Sequence, residues 1–266
     1  MIIVNKTVIE QKYFPDGTFL LFDMPYATEI PYINPTRIIW RYEDIKEQIL
    51  LHNIVKHIRD LRKDADIILN MPYIPNARMD RVYSKHEVQT LKYFCEFIND
   101  LKFTNVIVND AHSPVALALL NNVQEITSEY FINRVIKIVE PDYIFYPDCG
   151  AMSKYTKFIK HPALYGYKDR CWETGKVLSL EIIGKRRVEN NATVLFVDDI
   201  IAYGGTLLAS ARALIDIGFK KIYACVTHVE NSILNGDVIN SGLIECIYTT
   251  ESIFTKQHDL IKVLRN

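Results

Sequence analysis

At 266 residues, 49% of them hydrophobic, the chain can bury a sizeable core and is long enough for two modest α/β domains. Its 31 Lys and Arg against 32 Asp and Glu leave a formal net charge of -1, so no bulk electrostatic case exists for nucleic acid or an acidic membrane as partner. No apolar run reaches membrane length, the start MIIVNKTVIEQKY lacks the apolar core of a signal peptide, and five widely spaced cysteines without a CxxC pair fit a reduced, cytoplasmic compartment.

The first forty-odd residues read as short strands, Ile2 to Val8, Thr18 to Phe22 and Arg37 to Tyr42. Between them stand Pro15-Asp16-Gly17 and a Pro25 to Pro35 segment of turn formers. From Tyr42 the period becomes helical, with Ile45, Ile49, Ile54, Ile58 and Leu61 on one apolar face and Glu43 and Glu47 elsewhere. Ala65 to Leu69 reads as a buried strand leading into Asn76-Ala77-Arg78-Met79-Asp80-Arg81. Two arginines straddling an aspartate could clamp a polyphosphate or form an ordinary surface ion-pair cluster, and the spacing favours neither.

A helix with Val88, Leu91, Cys95 and Ile98 on one face precedes the strand Val106 to Val108, which runs into Asp110-Ala111-His112-Ser113-Pro114. The histidine is either a metal or phosphate contact or a structural side chain. Ser128 to Val139 reads as a helix and Tyr143 to Tyr146 as a strand that ends in Pro147-Asp148-Cys149-Gly150. Ser153 to Glu181, rich in Lys, Tyr and Gly with weak periodicity, reads as a mobile surface loop containing Lys168-Asp169-Arg170. Lys185-Arg186-Arg187 reads as a turn before the next strand.

Thr193 to Leu214 carries the strongest local pattern. Val194 to Val197 suits a strand buried on both faces of a parallel sheet; Asp198 and Asp199 follow, then the small turn Ala202-Tyr203-Gly204-Gly205-Thr206, then a helix through Leu207, Leu208, Ala211 and Leu214. Backbone N–H groups at such a helix start can converge on an anion, Thr206 adds a hydroxyl, and the carboxylates can accept from vicinal hydroxyls or hold a divalent metal. A plain βα unit whose aspartates cap the strand end accounts for the same residues. Lys221 to Val226 and Leu243 to Tyr248 read as further strands, and the segment through Leu260, Ile261 and Leu264 as a short helix.

Four apolar strands therefore end in polar clusters, around Asp80, His112, Asp148 and Asp198. Ligands of open parallel sheets bind outside the carboxyl ends of the strands, so the four clusters are expected to face one cleft between two domains. Carboxylates, a histidine, arginines and a phosphate-cradling turn suggest Mg-dependent phosphoryl chemistry, which needs positioning and charge neutralisation more than a nucleophilic side chain.

Taken together these segments resemble the ribose-phosphate pyrophosphokinases, relatives of the type I phosphoribosyltransferases. Val197-Asp198-Asp199-Ile200-Ile201 with Gly204-Gly205-Thr206 is similar to the family's ribose-5-phosphate loop, and Met71 to Arg81, with Arg78 and Asp80, to its ATP-binding segment. Phe14-Pro15-Asp16-Gly17 resembles the turn that contacts adenine in a neighbouring subunit. Asp110 to Pro114 resembles the segment carrying a metal- and ATP-contacting histidine, here His112. Pro147-Asp148-Cys149-Gly150 resembles the pyrophosphate loop with its metal-associated aspartate, and Lys168-x-Arg170 the catalytic flexible loop.

The resemblance implies two α/β domains of phosphoribosyltransferase type with mainly parallel sheets, drawn here as 1–138 and 139–266. It implies ATP and a ribose 5-phosphate acceptor as partners, Mg2+ as cofactor held near His112 and Asp148, and a homo-oligomer, dimer or higher. The reaction would pass the β,γ-diphosphoryl group of MgATP to a 1-hydroxyl, with Lys168 and Arg170 closing over the transition state. Asp198 and Asp199 would hold the 2- and 3-hydroxyls and the turn Ala202 to Thr206 the 5-phosphate. A phosphoribosyltransferase that consumes the activated sugar, or a non-catalytic regulatory homologue, would use the same loop, but the former would not need the Arg78 segment or the Phe14 turn.

The departures are informative. An Asp and a Thr usually precede the glycines, where this chain has Ala202 and Tyr203. A ring in place of a hydroxyl suits a 5-phosphate that is already substituted, so ADP-ribose, giving ADP-ribose 1-pyrophosphate, becomes a second expected acceptor. Met79 stands for the usual Gln and Thr18 for the usual Glu.

Overall fold

A computed structural model describes residues 1–20, 34–170, 177–184, 188 and 191–265. The segments expected as turns at Pro25 to Pro35 and Lys185 to Arg187 lie largely or wholly outside the described residues, as does the end of the strand expected to run to Phe22. By contacts the chain divides into Met1–Ile126 and Thr127–Asn266.

The first unit holds a six-stranded sheet in the order β2-β1-β5-β6-β7-β8, and a separate two-stranded hairpin, β3 (Lys12–Tyr13) with β4 (Phe19–Leu20). The run expected as one strand is two, β1 (Ile2–Val4) and β2 (Thr7–Val8), because Asn5 and Lys6 take positive φ in the two-residue turn that matches antiparallel strand twist. From β5 (Thr36–Trp40) through β6 (Ile67–Asn70) and β7 (Asn105–Asn109) to β8 (Val123–Ile126) the pairing is parallel.

Helix α1 (Glu47–Leu61) buries Leu50, Leu51, Ile54, Val55 and Ile58. Ile45 and Ile49, expected on that face, are 66% and 59% exposed, whereas Glu47, expected elsewhere, is 1% exposed. The reason is chemical rather than periodic. Glu47 Oε2 accepts from Trp40 Nε1 and from the Glu43 N–H, both at 2.9 Å, so a satisfied carboxylate takes the inward place. In α2 (Thr90–Asp100), Leu91, Phe94, Cys95 and Ile98 are buried, and Val88 lies exposed ahead of the helix. Short α3 (Pro114–Leu119) starts from a Ser113 cap and presents Ala116 to the same core.

The second unit has a seven-stranded sheet in the order β11-β10-β9-β12-β13-β14-β15, parallel except for the β10–β11 pair. Helix α4 (Glu129–Val139) belongs to this unit, on the far side of the boundary drawn from sequence. β12 (Thr193–Ile201) sits centrally between β9 (Tyr143–Tyr146) and β13 (Lys221–Val229). Its Val194 and Phe196 join one core with α6 (Gly205–Asp216), while Leu195 and Val197 join another with α4 and α5 (Cys149–Tyr155). Both faces of the strand are therefore covered, as its unbroken apolar run requires.

Two expectations fail here. Much of the segment read as a mobile loop is two long strands, β10 (Ala163–Arg170) and β11 (Val177–Ile183). The inward period was hidden by Gly166, where a Cβ would stand 2.7 Å from the Pro147 carbonyl, so glycine replaces the apolar residue a strand pattern would show. The segment expected as a C-terminal helix is β15 (Ile261–Leu264), paired in parallel with β14 (Cys246–Thr250). Four residues rich in β-branched side chains beside an open strand gain more from a ladder than from one helical turn.

Candidate active site

In the second unit the candidate residues gather by topology. β10, β9 and β12 are adjacent, and the segments carrying Lys168 and Arg170, Asp148 to Gly150, and Asp198 to Thr206 all belong to their carboxyl ends. β9 and β10 pair as far as Tyr146 and Tyr165, after which β10 continues with β11 alone. Lys168 pairs with Leu180 and Arg170 with Val177, so the two basic residues ride on an antiparallel ribbon. Lys168 is three residues past the last pairing with β9, roughly 10 Å beyond that point at strand rise.

The aspartate pair is not in a loop but inside β12. Pairing with β13 continues to Ile201 and Val229, with Asp198 opposite Val226. Asp199 is 7% exposed and Asp198 half-buried, and the Asp199 N–H donates to Asp198 Oδ1 at 3.0 Å. The turn that follows is fixed sterically. Gly204 has φ 79, and a Cβ there would overlap Val238 Cγ1, so both its conformation and its neighbour demand glycine. Gly236 also packs closely here, since a Cβ on it would overlap the Tyr203 carbonyl.

Gly204 also caps α6 without any side-chain hydrogen bond, and the first intrahelical bond there runs from the Leu208 N–H to the Gly204 carbonyl. The N–H groups of Gly205, Thr206 and Leu207 precede it, which is the donor arrangement that binds anions at helix starts. Around Gly205 a Cβ would meet nothing within 4 Å. Ala202 is half-buried and the Tyr203 ring is 62% exposed.

At the end of β9, Asp148 is extended and caps α5, its Oδ1 accepting from the Ala151 N–H at 3.0 Å. Cys149 is exposed, and Gly150 keeps clearance from Asp148 Oδ1, which a Cβ would approach to 3.2 Å.

In the first unit β6 and β7 are parallel neighbours, and their carboxyl-end segments meet through Asp80. Arg81 Nε donates to Asp80 Oδ1 at 3.1 Å, and the Gln89 side chain donates to the Asp80 carbonyl at 2.9 Å. Burial works to raise the Asp80 pKa, but hydrogen bonds from Arg81 and Ser113 and the charges of Arg81 and His112 outweigh it and hold the carboxyl below its usual range. Ser113 Oγ also accepts from the Val115 N–H at 3.2 Å, so one hydroxyl both starts α3 and holds Asp80. Thus Asp80 and His112 are brought together, and Arg81 forms an ion pair with Asp80. Arg78 and His112 are exposed. Asp110, buried with φ 44, is tied to β8 through the bond of its N–H to the Ile126 carbonyl and of the Ala111 N–H to Glu125 Oε1, both 2.9 Å.

Phe14 and Asp16 stand on the β3–β4 hairpin. Asp16 Oδ1 accepts from the Thr18 N–H at 2.9 Å and the Thr18 hydroxyl at 2.7 Å, which lowers its pKa. Thr18, a departure in the motif, therefore fixes the aspartate beside it.

One polar cluster escaped sequence reasoning. At the carboxyl ends of β13 and β14 the Thr227 carbonyl accepts from the hydroxyls of Thr249 (3.2 Å), Thr250 (2.8 Å) and Ser252 (3.1 Å). His228, also buried, stands opposite Ile200 of β12. The signal was the Thr249-Thr250-Glu251-Ser252 run directly after an apolar strand.

Comparison with known proteins gives these segments a common context. No family model matches the chain. A ribose-phosphate pyrophosphokinase of Saccharolobus solfataricus is 29% identical over 236 residues, 83% of this chain and 76% of the relative. That of Bacillus subtilis is 30% identical over 224 residues, 79% of this chain and 66% of the relative, and that of Sulfurisphaera tokodaii 27% over 261, 95% and 87%. Phosphoribosylpyrophosphate synthetase from Mycobacterium smegmatis superposes with a TM-score of 0.76 at 15% identity, over 97% of this chain and 86% of that one, and shows the same fold. On these likenesses and the motifs they span, the chain is similar to the ribose-phosphate pyrophosphokinases over most of its length.

Proposed function

We propose that the protein is an ATP-dependent diphosphotransferase that moves the β,γ-diphosphoryl group of ATP to the 1-hydroxyl of ribose 5-phosphate. The oxygen at C1 gains the group as its proton departs, and AMP leaves. The observation that carries this is the consecutive array β10-β9-β12, whose carboxyl ends bear a basic ribbon, an aspartate-capped helix start and an acidic pair before a helix start that no side chain caps. Such a set supplies orientation and charge neutralisation, which are what phosphoryl transfer asks of a protein.

Asp198 and Asp199 would accept from the 2- and 3-hydroxyls, and the N–H groups of Gly205 and Thr206 would take the 5-phosphate at the start of α6. Lys168 and Arg170 would offset charge on the transferring group. Phe14, Asp16, Arg78, Asp80 and His112 would bind ATP. Phe14 and Tyr13 are exposed on the hairpin, which suits a surface shared between subunits of a homo-oligomer.

Magnesium belongs to the proposal. A hard cation bound with nucleotide phosphates takes one or two protein carboxylates, and the donor chemistry of Asp148 fits it. The imidazole of His112 fits the phosphates, or a metal-bound water, better than the ion itself. Bound there, Mg2+ would neutralise phosphate charge. A reducing, cytoplasmic setting is also proposed: Cys95, Cys149, Cys225 and Cys246 are all free thiols. Among the described residues no helix is long and apolar enough to cross a membrane.

A second acceptor, ADP-ribose, rests on Tyr203 alone: an exposed ring in the turn just before α6 could stack on a group beyond the 5-phosphate. The names of the relatives speak for ribose 5-phosphate, which is therefore placed first. Incubation with MgATP and either acceptor, with AMP and the sugar product followed by mass spectrometry, tests both. AMP release without either acceptor being modified, or no AMP at all, removes the transferase; product from ADP-ribose only removes ribose 5-phosphate.

A further inference from the structure

We infer that the first unit carries an anion site at the amino-terminal edge of its sheet, built to take the di- or triphosphate group of a small molecule. It stands apart from the candidate active site and does not rest on the proposed function.

A cavity of about 480 Å3 opens where the C-terminal half of α1 meets the turns that lead into β6 and β7. Lys56, Arg59, Lys63 and Lys102 line it, with Asp64 and Asp100. Residues 71–81 and 110–114 follow the other ends of these same strands, so the cavity and the candidate site occupy opposite edges of one sheet. Its volume lies in the range of small-molecule sites.

The basic groups are assembled from separate segments. Arg59 Nη2 donates to the Lys102 carbonyl at 2.8 Å, which ties α1 to the turn after α2. That bond uses one of five guanidinium donors, and the plane that remains suits bidentate contact with phosphate oxygens. Partial burial lowers the Arg59 pKa, and its hydrogen-bond partner is a neutral carbonyl rather than a carboxylate, so burial of this cation is not offset by an ion pair. Among the described residues no ion pair engages Lys56, Lys63 or Lys102. Asp64 is instead drawn to Arg62, whose Nε lies at 3.2 Å, and that bond lowers its pKa. Four cations thus face two carboxylates, one of them already paired.

Lys102 also holds φ 52 at the end of α2. Gly or Asn is the usual choice for that conformation. A lysine there accepts backbone strain and adds a cation to the cavity lining.

The test is hydrogen–deuterium exchange on the full chain with millimolar inorganic tripolyphosphate or ADP. Protection is expected in peptides covering 56–65 and 100–104, and it should weaken at high salt. The double variant Lys56→Gln/Lys63→Gln, both exposed positions, should raise the concentration for half-protection about tenfold, and Asp100→Asn should lower it about threefold. Lys92→Gln, at the other end of α2, should leave it unchanged. Equal protection by both compounds assigns an inorganic polyanion, and protection at lower ADP concentration assigns a nucleotide. No protection of these peptides, or protection indifferent to the lysine and Asp100 variants, overturns the site.

Discussion

In the second unit the acidic pair Asp198 and Asp199 is built into β12, and the turn after it is wedged by Val238 against a glycine. In the first unit Asp80 lies in a stretch without regular structure, held by hydrogen bonds from Arg81 and Ser113. One region is fixed by sterics and sheet pairing, the other by a polar network. Packing tolerates no change of volume but is indifferent to pH, whereas a charge-assisted network tolerates shape changes and responds to protonation. The two should therefore fail differently when perturbed.

The largest expected effect contrasts chemistry with binding. Under the proposed function, Lys168→Ala should lower kcat by about 10²–10³-fold with an unchanged melting curve, whereas Arg78→Ala should act chiefly by raising the KM for ATP. Steady-state assays that vary ATP check the split, and equal losses in kcat from both variants would erase the division of labour between the units.

Next comes Gly204→Ala. A side chain at φ 79 running into Val238 should cost about 2–4 kcal/mol in chemical denaturation. Adding Val238→Ala should recover the steric share but not the backbone share. Full recovery would mean the positive φ is not what demands glycine.

Asp80→Asn should cost less, about 1–2 kcal/mol, because the site is near the surface and solvent screens the lost charge. The effect should depend on pH with a fixed sign. The folded carboxyl titrates below its unfolded value, so its contribution is present above about pH 4 and fades as pH falls through the lower folded value. Urea midpoints of the two proteins should thus converge on acidification. Gly204→Ala should show no such convergence, and parallel curves for Asp80→Asn would refute the network.

The smallest effect is expected at the hairpin. Thr18→Val removes a 2.7 Å bond to Asp16 and should let its pKa rise toward the ordinary value in an NMR titration, with no shift in melting temperature.

The same contrast explains what the sequence disclosed. The apolar core of β12 and the glycine turn were legible because burial on both faces leaves an unbroken run, and a positive φ leaves a glycine. The strand's true end was not, since a pattern of apolar residues stops at the first charge while the ladder with β13 runs on to Ile201. The clusters around Asp80 and His112 were expected to face one cleft, but the bond between Asp80 and Ser113 was not legible, because hydrogen bonds between segments thirty-odd positions apart leave no period. Glu47 misled in the opposite sense: donors from Met1, Gln11, Trp40 and Glu43 make a charged residue belong inside, and they converge on it only in the folded chain. Gly166 likewise concealed β10 by being small where a strand shows bulk.

Gly204, next to Tyr203 in sequence, and Gly236, next to it in space, hold the chain closely there, one packed against Val238 and the other against the Tyr203 carbonyl. With the main chain immobilised there, the side chains at 202 and 203 become free variables of evolution. A lineage could exchange them and alter what the loop admits without renegotiating the fold, so close homologues should vary at these two positions more readily than at either glycine.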